Sequence, residues 1–178
     1  MSPSSERKRA GASKMISRLL SLTIVALLFT IAGPAAARDY LRVEAIDVLA
    51  EPADVAWKRL GDFCEVSELL DATCKIESGD GGPGTVRVLN GVTVETLVAR
   101  TPHSYTYSQV EGSRAGTDYH GTIAVEPISK HRSRVIYTLV IDRSRLPAGT
   151  NTADYEKQLQ ERFQGAVNRA KVLIERHS

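Results

Sequence analysis

The last 25 residues, Asp154 to Ser178, read as one long amphipathic helix, and the segments before it read mostly as β-strand. Leu159, Phe163, Ala166, Val167, Ala170, Leu173 and Ile174 recur at the three-and-four spacing of a buried helical face. A sheet followed by a single terminal helix has one obvious way to bury both apolar faces: the sheet curls around the helix. The space between them is then a packed core or a cavity, and that choice bears on function.

The pattern upstream supports this. Tyr40 to Leu49 reads as a first strand. Pro52 opens a short helix at the position where a missing N–H costs nothing, with Val55, Trp57 (or Ala56) and Leu60 on its apolar side. Gly61-Asp62 interrupts it, and Phe63 to Leu70 reads as a second short helix. Strands are expected at Thr73–Glu77, Thr85–Leu89, Thr93–Arg100, Ser104–Val110, Tyr119–Glu126 and Arg134–Asp142. Asn90-Gly91 supplies the two positive-φ positions of a tight hairpin. Thr152 is the expected N-cap of the last helix. The fold class is therefore α+β, with about seven antiparallel strands, two short helices after the first strand and the long helix last.

Residues 1–37 read as a signal peptide, leaving 38–178 as one domain. Arg7, Lys8, Arg9, Lys14 and Arg18 form a basic head. Leu19 to Ala32 is an apolar stretch of 14 residues, short for a membrane span, and Ala35-Ala36-Ala37 is the small-residue site a signal peptidase reads. Cleavage after Ala37 and a periplasmic or secreted product are expected, with no stable membrane span afterwards. The alternative is an anchor left by an uncleaved N-terminal helix, and Met15 offers a second start. The full chain has 23 Lys+Arg and 21 Asp+Glu, but segment 1–37 holds five of the bases and one acid. The remaining domain has 18 against 20, so no basic patch points to nucleic acid.

Cys64 and Cys74 are the only cysteines. In an oxidising compartment they are a disulfide candidate, with two buried free thiols as the alternative. His103 and His131 fall in turns, His177 is terminal, and His120 faces away from its neighbour Tyr119. No metal site, cofactor motif or catalytic triad is readable. Asp80-Gly81-Gly82-Pro83-Gly84 precedes a strand rather than a helix, so it reads as a turn and not a phosphate cradle.

The element order resembles the START-like (SRPBCC) superfamily. So do Glu51-Pro52-Ala53-Asp54-Val55-Ala56-Trp57, Gly61-Asp62-Phe63, Val94-Glu95-Thr96-Leu97, Tyr105-Thr106-Tyr107, Gly112 and Asp118-Tyr119. The likeness is greatest to its polyketide cyclase/dehydrase and lipid-transport branch. The resemblance implies a helix-grip fold with an apolar cavity between sheet and last helix. It also implies that Glu95, Tyr107, Tyr119, Tyr137 and Phe163 face a ligand, with Val167 on the helix wall. Ala72 stands about where hormone-binding relatives carry an anchoring lysine, and Asn90-Gly91-Val92 is too short for their gate.

The expected function is a periplasmic binding protein for a hydrophobic or amphipathic small molecule or lipid, rather than an enzyme. Two alternatives stand beside it: an accessory partner of a periplasmic dehydrogenase system, and a cyclase/dehydratase-type enzyme. Glu95→Gln is expected to weaken binding with little effect on folding.

Overall fold

The computed structural model describes residues 38–176. The proposed signal segment, its cleavage site, Met15 and His177 lie outside the described residues. Seven strands form one antiparallel sheet: β1 (Tyr40–Leu49), β2 (Cys74–Ser78), β3 (Val86–Leu89), β4 (Thr93–Thr101), β5 (Ser104–Glu111), β6 (His120–Ser129) and β7 (Arg132–Asp142). Their order across the sheet is β1-β7-β6-β5-β4-β3-β2. Two short helices, α1 (Ala53–Leu60) and α2 (Val66–Leu70), follow β1, and α3 (Thr152–Glu175) closes the fold. This is the expected α+β helix-grip architecture.

The inward faces are those the alternation predicts. Ile123 and Val125 on β6, and Val135, Tyr137, Leu139 and Ile141 on β7, are all buried. They meet Leu159, Phe163, Ala166, Val167, Ala170 and Ile174 of α3, which are buried as well, while Leu173 is only partly so. Each large apolar side chain so buried contributes about 1.5–3 kcal/mol. Phe163 packs edge-on against Tyr137 with ring centroids 4.7 Å apart.

Three local expectations need correction. Asn151, not Thr152, caps α3, because its side-chain oxygen accepts from the backbone N–H of Ala153 at 3.2 Å and Asp154 at 3.3 Å. Val55 is exposed; α1 buries Ala53, Ala56 and Leu60, whose spacing shares one helical face. The second short helix begins at Val66, because Asp62 first turns the chain by accepting from the Cys64 N–H at 2.8 Å.

α3 also protects an edge of the sheet. β1 pairs only with β7, which leaves outward-pointing carbonyls that another chain could pair with. Gln160 and Gln164, one turn apart, donate to the carbonyls of Glu44 at 3.0 Å and Ile46 at 3.2 Å. Lys171 pairs with Asp47 at 3.2 Å. The helix is therefore fastened along β1.

Cys64 and Cys74 form a disulfide across Cα atoms 5.6 Å apart. It ties the start of the α2 segment to β2. Closing a loop of this ten-residue separation contributes roughly 2–3 kcal/mol in the chain-entropy description.

Among the described residues no helix is long and apolar enough to cross a membrane.

A candidate ligand site built on a buried polar row

The β3–β4 hairpin decides which side chains enter the interior from this half of the sheet. Asn90 (φ 50°) and Gly91 (φ 71°) adopt the left-handed conformations the turn needs. Leu89 then pairs with Thr93, and Arg87 stands directly opposite Glu95. Cross-strand partners share a face, so both point inward. Arg87 is 0% exposed and Glu95 4%. On the other side of β4, Glu95 pairs with Gln109 of β5, which is 6% exposed. Gln109 continues the inward face of Tyr105 and Tyr107, and a β-bulge just beyond it leaves Val110 without a cross-strand partner. Arg87, Glu95 and Gln109 thus form a polar row across three strands, beside a largely apolar and aromatic core.

The pairing within the row is tight. Arg87 Nε donates to Glu95 Oε2 at 2.8 Å, and Nη2 lies 2.7 Å from the same oxygen, too poorly aimed for a second hydrogen bond. Nη1 donates to the Phe63 carbonyl. The guanidinium sits 4.0 Å from the Phe63 ring centroid and 4.6 Å from that of Tyr107, within cation–π range of both. Burial pushes the Glu95 carboxyl above its ordinary range, and Arg87 opposes that shift. Burial disfavours the Arg87 charge, but its acidic and phenolic neighbours outweigh it, so the guanidinium stays protonated.

Next to the row lies a tyrosine cluster. The Tyr107 hydroxyl is 2.6 Å from that of Tyr137 and 3.2 Å from that of Tyr119. Burial raises all three phenols above their ordinary range. Tyr107 can lie where it does because its cross-strand partner is Gly121. A Cβ at 121 would stand 2.3 Å from the ring carbon bearing the hydroxyl. Tyr105, fully buried two pairs further along, has a hydroxyl without a hydrogen-bond partner among the described residues.

Between sheet and α3 lies a small, partly open cavity of about 50 Å³. Of the residues singled out from the sequence, Glu95, Tyr107, Tyr119 and Phe163 line it. Tyr137 stands behind Tyr107, one hydrogen bond away. Val167 is buried one turn beyond Phe163 on α3 and is not in the cavity wall. The wide apolar cavity implied by the resemblance is largely filled by aromatic rings, and what remains has polar groups in its wall. A larger hollow of about 500 Å³ lies at the surface beside Gly61, Asp62 and the Gly79–Gly81 loop. The cation there, Arg100, already donates to the Gly61 carbonyl at 2.9 Å, so the hollow carries less unsatisfied chemistry than the cavity. Among the described residues no three His, Cys, Asp or Glu side chains converge as metal ligands.

The chain matches, over residues 41–175, the family described as polyketide cyclase / dehydrase and lipid transport. It belongs to this family. Solved structures with the same fold include a Nitrosospira multiformis protein, 22% identical, with a TM-score of 0.59 over 74% of this chain and 94% of that one. A Bacillus thuringiensis protein is 17% identical, with a TM-score of 0.63 over 75% and 98%. The Zhui aromatase/cyclase of a Streptomyces species is 18% identical, with a TM-score of 0.60 over 78% and 95%. No curated protein matches the chain by sequence. Membership of the polyketide cyclase/dehydrase family supports a role in binding hydrophobic ligands.

Two features of this family member escaped the sequence reading. Arg87 was not singled out, although the Asn90-Gly91 hairpin register alone places it beside Glu95. The expected indifference of folding to Glu95→Gln does not survive the structure. Glu95 neutralises a fully buried guanidinium, and neutralising the acid strands that charge.

Proposed function

We propose that the domain is a periplasmic binding module that takes a hydrophobic or amphipathic small molecule between the sheet and α3. Family membership supports the apolar part of this reading. The observation that carries the rest is a small, partly open cavity whose wall combines Glu95, Tyr107, Tyr119 and Gln109, all nearly fully buried. Ligand sites characteristically combine apolar walls with a few convergent polar groups. A core selected for stability alone has no use for a buried ion pair, which apolar residues of similar volume usually match or better.

The cavity's 50 Å³ accommodates a few water molecules and not a lipid chain. Uptake of a larger molecule therefore requires the walls to part. Leu70 and Ala72 belong to the wall nearest the disulfide-tied segment, and Arg162 to the wall on α3. Native mass spectrometry of the protein recovered from its own periplasm tests the reading. A bound small molecule is expected, released on denaturation. The bare chain, isolated repeatedly in complex with another protein, would sink it in favour of the accessory-partner reading, which the largely filled interior also fits.

A further inference from the structure

The cavity wall holds more hydrogen-bond donors than the protein itself satisfies. Gln109 is 94% buried by its 6% exposure, and its Nε2 has no partner among the described residues. It reaches this place because Gly112 (φ 107°) follows it, where a Cβ would stand 2.7 Å from that nitrogen. Arg114, on the β5–β6 connection, lies with its guanidinium 5.6 Å from the Tyr119 ring centroid. Its Nε is buried and also unpartnered. Arg162 of α3 lines the same cavity, and neither arginine has a carboxylate within ion-pair distance among the described residues. The one acid in the wall, Glu95, is ion-paired with Arg87, and Arg114 adds only a weaker through-space attraction to it.

We propose that the ligand carries a carboxylate, received by Gln109, Arg114 and Arg162 while its apolar part passes inward beside Tyr119 and Phe163. This rests on the binding reading above and assigns the chemical class of the ligand. Two guanidiniums without an ion-pair partner among the described residues and a free amide donor match a planar carboxylate, which guanidinium can bind side-on through two parallel hydrogen bonds. An apolar or cationic end at the same place would leave those donors unmet or repelled. A tetrahedral dianion fits less well, because the space is small and Glu95 in the same wall repels two negative charges more than one.

Titration calorimetry on the folded, oxidised protein tests this with matched pairs: decanoate against decanol, and naphthoate against naphthylmethanol. At fixed salt the acid is expected to bind roughly tenfold or more tightly than its alcohol, as charge-assisted hydrogen bonds imply. Arg114→Gln with Arg162→Gln should bring each pair toward parity while the alcohol affinity stays put. Thermal unfolding reports whether the variant folds, and Arg162→Gln alone, at an exposed position, serves if the double variant does not. Equal affinity for acid and alcohol overturns the carboxylate assignment and leaves the binding module standing. An acid preference untouched by the arginine changes overturns the assignment to these residues. Binding of none of the four compounds overturns both.

Discussion

Under β1 and β7 the inward side chains include Leu41, Val43, Ala45, Leu139 and Ile141, all apolar and all buried. Under β3, β4 and β5, equally buried, they include Arg87, Glu95, Tyr105, Tyr107 and Gln109. The two regions belong to one continuous sheet and are closed off from water to the same degree. They differ in what holds them. The first is stabilised by volume and contact area, which many combinations of apolar side chains can supply. The second depends on specific pairings, and each unmet group there costs the full desolvation of that group. A fold does not need the second kind of interior to be stable.

The sharpest way to break this comparison is a change that preserves shape and removes charge. Glu95→Gln should destabilise the protein by about 3–5 kcal/mol in urea titrations, because Arg87 is left buried without its counter-charge. Arg87→Met combined with Glu95→Leu should cost much less than the single changes added together. A Glu95→Gln protein as stable as the parent would mean that the polar row is not energetically distinct from its surroundings.

The apolar region should behave in the opposite way. Leu139→Met keeps volume and hydrophobicity, and the expected loss is below about 1.5 kcal/mol by the same measurement. A larger loss would show that shape is specified there as strictly as pairing is in the polar half.

The smallest effect belongs to the tyrosine cluster that joins the two regions. Tyr137→Phe removes one hydroxyl, yet Tyr107 keeps Tyr119 as a partner at 3.2 Å, so about 1 kcal/mol should be lost. The same cluster gives a pH signature. Burial raises the Tyr105, Tyr107, Tyr119 and Tyr137 phenols, so the folded state favours their neutral forms. Their contribution is fully present below the ordinary tyrosine pKa of about 10 and is lost as pH rises above it, because the unfolded chain gives up those protons first. Phenolate absorbance from these four should therefore appear together with loss of circular dichroism. Ionisation of all four while the fold persists would show that the cluster is open to solvent.

Much of this architecture was legible because it rests on local periodicity. Alternation placed Ile123, Val125, Leu139 and Ile141 inward, and the three-and-four stripe placed Phe163 and Val167 against them. The Asn90-Gly91 turn was readable because few residue pairs accept two positive φ angles. The disulfide was legible only as a candidate, two cysteines in an expected oxidising compartment with free thiols as the alternative, and the structure joins them. The polar row was not legible in the same way. On β3 the apolar Val86 and Val88 are only partly buried while Arg87 is inside, which reverses what side-chain polarity predicts. The reversal depends on pairing across the hairpin, which sets Arg87 against Glu95 and Glu95 against Gln109.

By itself, then, the sequence determined the order of strands and helices, the hairpin and the buried stripe of the last helix. Each of these follows from spacings within a segment, where backbone geometry fixes which side chains share a face. Only the tertiary structure decided that Glu95 is neutralised by Arg87, that aromatic rings fill most of the expected cavity, and that Gln109 and Arg114 keep donors unmet. Those outcomes depend on distances between residues far apart in the chain, and on how much volume the side chains take up once the sheet has closed around the helix.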